Sequence, residues 1–446
     1  MLWSATEEAW LFALVLLVPG VAGMLLWWSV RHLPQPADLR QAEAVVVLAF
    51  LFIIVPLLSV PAFAVLGLPG IDGLFEGMSA ITTTGLSVAS DTSKWPFAAH
   101  VLRSWMQWCG GLAMATAVLA MLIGPGAMAR EMGRAGLDEG DRIASTRSRA
   151  RQLLGAYAGL TLLFWLAISA STGSVTTGLL LSLSAVSTGG FAFLPDSLGS
   201  YSKLTQILVI VASVSGAISL LAVAFLSKGD WREAWKLGSF QRVAMWSAAA
   251  LAVLICTMLA LDETAYYAHA MNLLSAISTA GFSVSDMPAH PVLLLIFVVA
   301  MIFGGDAGST AGGIKLARLT TLLRATRHAA RQPRLPENAV APLREYGQPV
   351  SDSKLIGLLA IFLLYSTSVL ILWSGFLAGG YPPMPALFDT VSAFSTVGLS
   401  AGVISPDLST SLKAGTVLAM LMGRLEFIAI LLLVLPRTWH IPSQRS

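Results

Sequence analysis

The pattern Ser-Ala-x-Ser/Thr-Thr-x-Gly-Leu/Phe-Ser/Ala occurs four times in this chain of 446 residues, at Ser79–Ser87, Ser184–Ala192, Ser275–Ser283 and Ser392–Ser400. Each copy gathers hydroxyls and main-chain carbonyls beside one glycine, at Gly85, Gly190, Gly281 and Gly398. A ring of such oxygens can replace the hydration shell of a monovalent cation. The residues that would supply it are Thr83, Thr84 and Gly85; Thr188, Gly189 and Gly190; Thr279, Ala280 and Gly281; and Thr396, Val397 and Gly398. Glycine at the fixed position admits backbone conformations that turn carbonyls toward an axis. Small residues also let helices approach closely, and a single copy would read that way. Four copies in register, each between long apolar runs, read instead as four walls of a cation pore supplied by one polypeptide.

Those walls need a frame. The chain is 56% hydrophobic and 11% charged, whereas soluble domains carry about 25% charged residues, so its solvent is a lipid bilayer. Nine apolar runs approach the length of a spanning helix, near 9–30, 43–67, 101–124, 152–171, 204–226, 243–261, 291–303 with its continuation, 355–378 and 414–436. The stretch before each signature is too short to cross. The expected fold is therefore an all-α integral membrane protein. Four tandem helix–pore-loop–helix units (40–129, 130–229, 230–334 and 335–446) surround a pseudo-fourfold central pore, preceded by one extra N-terminal transmembrane helix within 1–39. Asp72, Glu76, Asp262, Glu263 and Asp389 are expected at the outer starts of the short helices, where carboxylates complement the helix dipole. The carbonyl ends then point to mid-membrane.

Charge placement orients the chain. Loop order puts 22 of the 27 Lys and Arg on one face, which the positive-inside rule makes cytoplasmic, together with the C-terminus. The signatures then enter from outside. This topology accounts for the basic loops without a nucleic-acid partner. Glu7 and Glu8 precede the first apolar run, so it reads as a retained helix rather than a signal peptide. Leu316–Lys354 and Arg130–Arg151 read as polar connections.

Two further segments stand out. In Gly304–Gly313, the residues Gly304, Gly305, Asp306, Gly308, Ser309, Thr310, Gly312 and Gly313, followed by Lys315, interrupt the second helix of the third unit. Unwound backbone at that depth must face water or protein, so the segment reads as a gate below the oxygens, with a simple helix kink as the other reading. Arg424, flanked by apolar residues in the last helix, is costly there and functional by default. It either faces the pore as an electrostatic barrier or pairs with Glu426 or Asp306. Asp306 would attract a cation or neutralise Arg424. The six histidines are scattered without metal-ligand spacing, Cys109 and Cys256 lie in apolar runs, and no nucleophile–base grouping stands out. An enzyme is the poorer reading.

The four signatures, Ala307–Lys315, Gly423–Glu426 and Gln107–Gly111 together resemble the Trk/Ktr family of bacterial potassium-uptake proteins, over nearly the whole chain from about Arg31. The resemblance implies a channel-like potassium pathway in the bacterial cytoplasmic (inner) membrane, with potassium as transported ligand and no organic cofactor. It also implies a gating loop at Gly304–Gly313, an arginine beneath the filter at Arg424, a homodimer, and a cytoplasmic nucleotide-binding regulatory subunit. In related plant transporters a serine at the Gly85 position accompanies sodium permeation, so glycine favours potassium. The chain departs from longer members in having one helix before the first unit, and in Asp306 where a neutral residue is expected. Two alternatives share this architecture: the potassium-binding subunit of a P-type ATPase complex, and a sodium-permeable or proton-coupled cation symporter.

Overall fold

The structure, a computed structural model, describes residues 10–33, 41–122, 139–331, 343–345 and 348–425. Its elements follow the four-unit order. After α1 (Trp10–Val30), unit one holds α2 (Gln41–Val65), α3 (Ile71–Ile81) and α4 (Phe97–Leu122). Unit two holds α5 (Glu139–Thr172), α6 (Val175–Val186), α7 (Lys203–Gly216) and α8 (Leu220–Ser227), with the short α9 (Trp231–Lys236) after it. Unit three holds α10 (Ser239–Ala260), α11 (Tyr266–Ser278), α12 (Pro291–Ile302) and α13 (Leu316–Arg331). A two-residue hairpin of β1 (Arg344–Glu345) and β2 (Gln348–Pro349) precedes unit four, formed by α14 (Asp352–Ala378), α15 (Pro383–Phe394) and α16 (Thr410–Arg424). Among the described residues five helices are long and apolar enough to cross a membrane, and α7–α8 adds a sixth candidate.

The short helices α3, α6, α11 and α15 are the most deeply buried elements. Side-chain and proline caps start several of them: Ser174 accepts from the Thr177 N–H at 3.3 Å ahead of α6, and Pro383 opens α15. Their ends share one geometry. Thr83, Thr188, Thr279 and Thr396 take left-handed φ of 55°, 55°, 57° and 48°. The N–H groups of Thr84, Gly189, Ala280 and Val397 return to the carbonyls of Ser79, Ser184, Ser275 and Ser392 at 2.8–3.0 Å. This is a Schellman cap with threonine in place of the customary glycine. Apolar packing holds the units together, as where Phe297 of α12 meets Phe388 of α15 at 6.4 Å between ring centroids.

Two expectations need correction. The run 204–226 is not one span, because α7 and α8 meet at 102°. The glycine-rich loop packs against Gly216 and Ala217, so the carbonyls freed by the break find partners. Glu76 and Asp389 are not dipole partners at helix starts. They lie midway along α3 and α15, while Asp262 and Glu263 precede α11 altogether. Only Asp72 occupies a first turn, and it pairs with Lys413 of α16 at 2.7 Å. The polar connection after Lys315 opens with helix α13.

Candidate functional site

After each threonine-capped turn the chain reaches a glycine with positive φ: 87° at Gly85, 80° at Gly190, 75° at Gly281 and 97° at Gly398. These four close on one another in order. A methyl group built on Gly85 would lie 2.4 Å from the Gly189 carbonyl oxygen, one on Gly190 2.0 Å from that of Ala280, one on Gly281 1.9 Å from that of Val397, and one on Gly398 2.1 Å from that of Thr84. The cycle returns to its starting unit. Glycine is required twice over here, once by φ and once because the neighbour's carbonyl fills the place of a side chain. All four glycines line one cavity of about 330 Å³, with Ser87, Ser283 and Ser400 among its other walls.

Polar side chains fix the ascending segments. The buried Glu76 carboxylate accepts from the Ser87 hydroxyl and, at 3.1 Å, from the Val88 N–H. Asp389 accepts from the Ser400 hydroxyl at 2.7 Å and from the N–H groups of Ala401, Val403 and Ile404 at 2.6, 3.1 and 2.8 Å. Asn272 accepts from Val284 N–H at 2.8 Å and donates to the Ser285 carbonyl at 3.0 Å. All three sit three residues before the signature serine. Unit two has Leu181 there, and Gln107 of α4 substitutes: its amide donates to the Gly189 carbonyl while Ser184 donates to its Oε1 at 2.7 Å. This positional set was missed from sequence, although its spacing was visible there.

The loop between α12 and α13 lies against the threonine side of the ring. Gly312 N–H donates to Thr279 Oγ1 at 2.7 Å, and a methyl on Gly312 would sit 2.1 Å from the Ser395 carbonyl oxygen. The Thr310 hydroxyl lies 3.3 Å from that of Thr188. The loop is laced to the α7–α8 break by Asp306 N–H to Ala217 O at 2.9 Å, Thr310 N–H to Gly216 O at 3.1 Å, and Leu220 N–H to Gly308 O at 2.9 Å. Ser309 donates to the Asp306 carbonyl at 2.6 Å, Gly305 N–H donates to Ile277 O at 3.1 Å, and Lys315 Nζ donates to the Ala311 and Gly312 carbonyls. Gly304 packs on the Thr279 methyl and Gly313 on the Ile302 carbonyl.

Arg424, 1% exposed, donates to the Thr310 carbonyl at 2.8 Å and to the Gly110 carbonyl at 3.2 Å. It thus ties the last helix to the loop and to α4. Asp306 is neither its partner nor open to a cation: Arg242 of α10 grips the carboxylate bidentately, at 3.0 and 2.6 Å. Glu426 lies outside the described residues.

A second set of glycines supports the ring. Gly110, Gly216 and Gly423 press on the last carbonyls of the short helices, where an added methyl would meet Ile81 O at 1.8 Å, Val186 O at 2.4 Å and Phe394 O at 2.0 Å. Gly304 takes the equivalent place in unit three.

A model of TrkH, described as a cation transport protein, matches residues 12–243 and 248–441. The chain belongs to the TrkH family. Among curated relatives of this TrkH-family chain, the TrkH potassium uptake protein of Halomonas elongata is 29% identical, with 96% of this chain and 92% of that one covered. An uncharacterised cation transporter of Methanocaldococcus jannaschii is 25% identical over 94% of this chain and 87% of its own. The crystal structure of the potassium transporter TrkH from Vibrio parahaemolyticus superposes with a TM-score of 0.80 at 22% identity, covering 96% of this chain and 92% of that one. The TrkH-family chain is thus a predominantly helical integral membrane protein with that fold. The second glycine set recurs 23–26 residues after each signature glycine, a spacing that would have revealed it from sequence.

Proposed function

We propose that the chain takes up potassium across a bacterial cytoplasmic membrane through a channel-like pore. The closed cycle of glycines and carbonyls from four units carries this reading. In it, the carbonyls of Thr84, Gly189, Ala280 and Val397, with neighbours in each signature, replace water around a dehydrated potassium ion. The four short helices aim their carbonyl ends toward the same place, which favours a cation. The loop from Gly304 to Gly313 obstructs the path on the basic side of the ring and is the gate, with Arg424 holding it through Thr310. A positive charge pinned there also discourages cation passage while the gate is shut. Curated relatives named for potassium uptake support the substrate, and their naming as a Trk system supports a regulatory partner, read here as a cytoplasmic nucleotide-binding subunit acting on a homodimer.

The deciding experiment is flux in proteoliposomes without ATP. An imposed potassium gradient should drive uptake, and the reversal potential should follow potassium over sodium and protons. Reversal that follows sodium or protons, or ATP-driven uptake against the imposed potassium gradient, would overturn the proposal. Shortening Gly304–Gly313 should raise flux in the absence of any regulator; unchanged or abolished flux in folded protein would argue against a gate.

A further inference from the structure

The outer cavity of a cation pathway contains an arginine. Arg103 of α4 is 3% exposed yet lines the cavity that the four glycines share. Its guanidinium sits between two rings, 5.0 Å from Trp95 and 4.1 Å from Phe191, and Nη2 donates to the Ala192 carbonyl at 3.3 Å. On its other side Nη1 is 3.5 Å from Oε2 of the fully buried Glu76. Glu76 has divided duties. Oε1 holds Ser87 and Val88 of the unit-one ascending segment, whereas Oε2 accepts no hydrogen bond among the described residues and faces Arg103. Arg103 lines the cavity and Glu76 does not, so the arginine lies between this carboxylate and the ions. Among the described residues the cavity wall carries one acidic side chain, the exposed Asp286.

A carboxylate oxygen without a hydrogen bond, close to a site where cations lose water, is a ligand for a hard divalent ion such as calcium. Calcium held there would obstruct monovalent flow. Lysine, a more strongly hydrated point charge, would not be held by the Trp95 and Phe191 faces as a planar guanidinium is. We propose that Arg103 determines specificity at the mouth: by covering and neutralising Glu76 it keeps divalent cations from occupying and blocking the pathway. The proposal rests on the potassium-uptake reading and deepens it.

The test uses the full-length protein in proteoliposomes, measuring potassium uptake against rising external calcium. In Arg103→Gln, half-inhibition should occur at a calcium concentration at least about tenfold lower than in the wild type, about 1.4 kcal/mol of added binding. The double variant Glu76→Gln/Arg103→Gln should return to wild-type tolerance, and Asp286→Asn should not change the Arg103→Gln result. Glu76→Gln alone, which leaves the guanidinium uncompensated, should raise KM for potassium by a larger factor than it lowers the maximal rate. That arm also serves if Arg103→Gln does not fold. Calcium tolerance in a transporting Arg103→Gln protein equal to the wild type would overturn the proposal, as would equal sensitivity in single and double variants or an unchanged KM in Glu76→Gln. A wild type that transports no potassium at all would instead overturn the uptake reading on which this rests.

Discussion

Gly281→Ala is the sharpest perturbation of the ring. Two costs arise from one methyl group. The first is conformational, since alanine at φ +75° occupies the left-handed region at roughly 1–2 kcal/mol. The second is steric. The new Cβ would lie 1.9 Å from the Val397 oxygen and 2.9 Å from Gly398 Cα, whereas real Cβ atoms essentially never come within 3.0 Å of such atoms. The Val397 carbonyl must therefore retreat by about 1 Å, and the Gly398 backbone with it. If one oxygen is lost from the ring, the stabilisation forfeited is that of a hydrogen bond to a charged group, about 1.5–3 kcal/mol. At about 1.4 kcal/mol per decade, the potassium-to-sodium permeability ratio should fall by at least about tenfold. Reversal potentials under opposed potassium and sodium gradients measure this directly, with monodispersity in detergent as the folding control. Gly20→Ala in α1, where an added methyl meets nothing within 4 Å, should leave the ratio unchanged. An unchanged ratio in well-folded Gly281→Ala protein would refute the reasoning that this ring sets selectivity.

Three further outcomes follow from the same contacts. Asp306→Asn removes half of a buried bidentate pair, which costs about 3 kcal/mol, and should release the loop so that unregulated potassium flux rises; unchanged flux would leave the Arg242 contact purely structural. Asp389→Asn replaces an oxygen that accepts by a group that donates, against four existing donors. It should lower stability by about 2–3 kcal/mol, seen as a reduced thermal midpoint in detergent. Gly423→Ala should lower flux, because its methyl would meet the Phe394 carbonyl at 2.0 Å, whereas Gly375→Ala, 3.5 Å from the Leu412 side chain, should be tolerated.

The fourfold plan was legible in the sequence because the four units repeat at the residues backbone geometry constrains most. A left-handed threonine and a left-handed glycine two positions later tolerate few substitutes, and both appear in every copy. The supporting residues were harder to read. Glu76, Asn272 and Asp389 share a position but not a residue type, and Leu181 breaks the series, so the carboxylates looked like dipole partners instead of anchors. The α7–α8 break escaped notice because Gly216 and the serines around it (Ser213, Ser215 and Ser219) sit inside a longer apolar run, and hydropathy averages over a bend. Arg242 and Asp306 are 64 residues apart. Nothing in either local sequence indicates that they meet, so the partner of Asp306 required the fold.

The interruption between α7 and α8 and the loop between α12 and α13 exchange main-chain hydrogen bonds in both directions, which makes them a single stitched seam. Pulling either side away would leave bare peptide groups in a medium that cannot hydrate them. A displacement of the short α8 would therefore reach Thr310 and Gly312 beneath the ring through main-chain bonds, with no intervening side chain to absorb it.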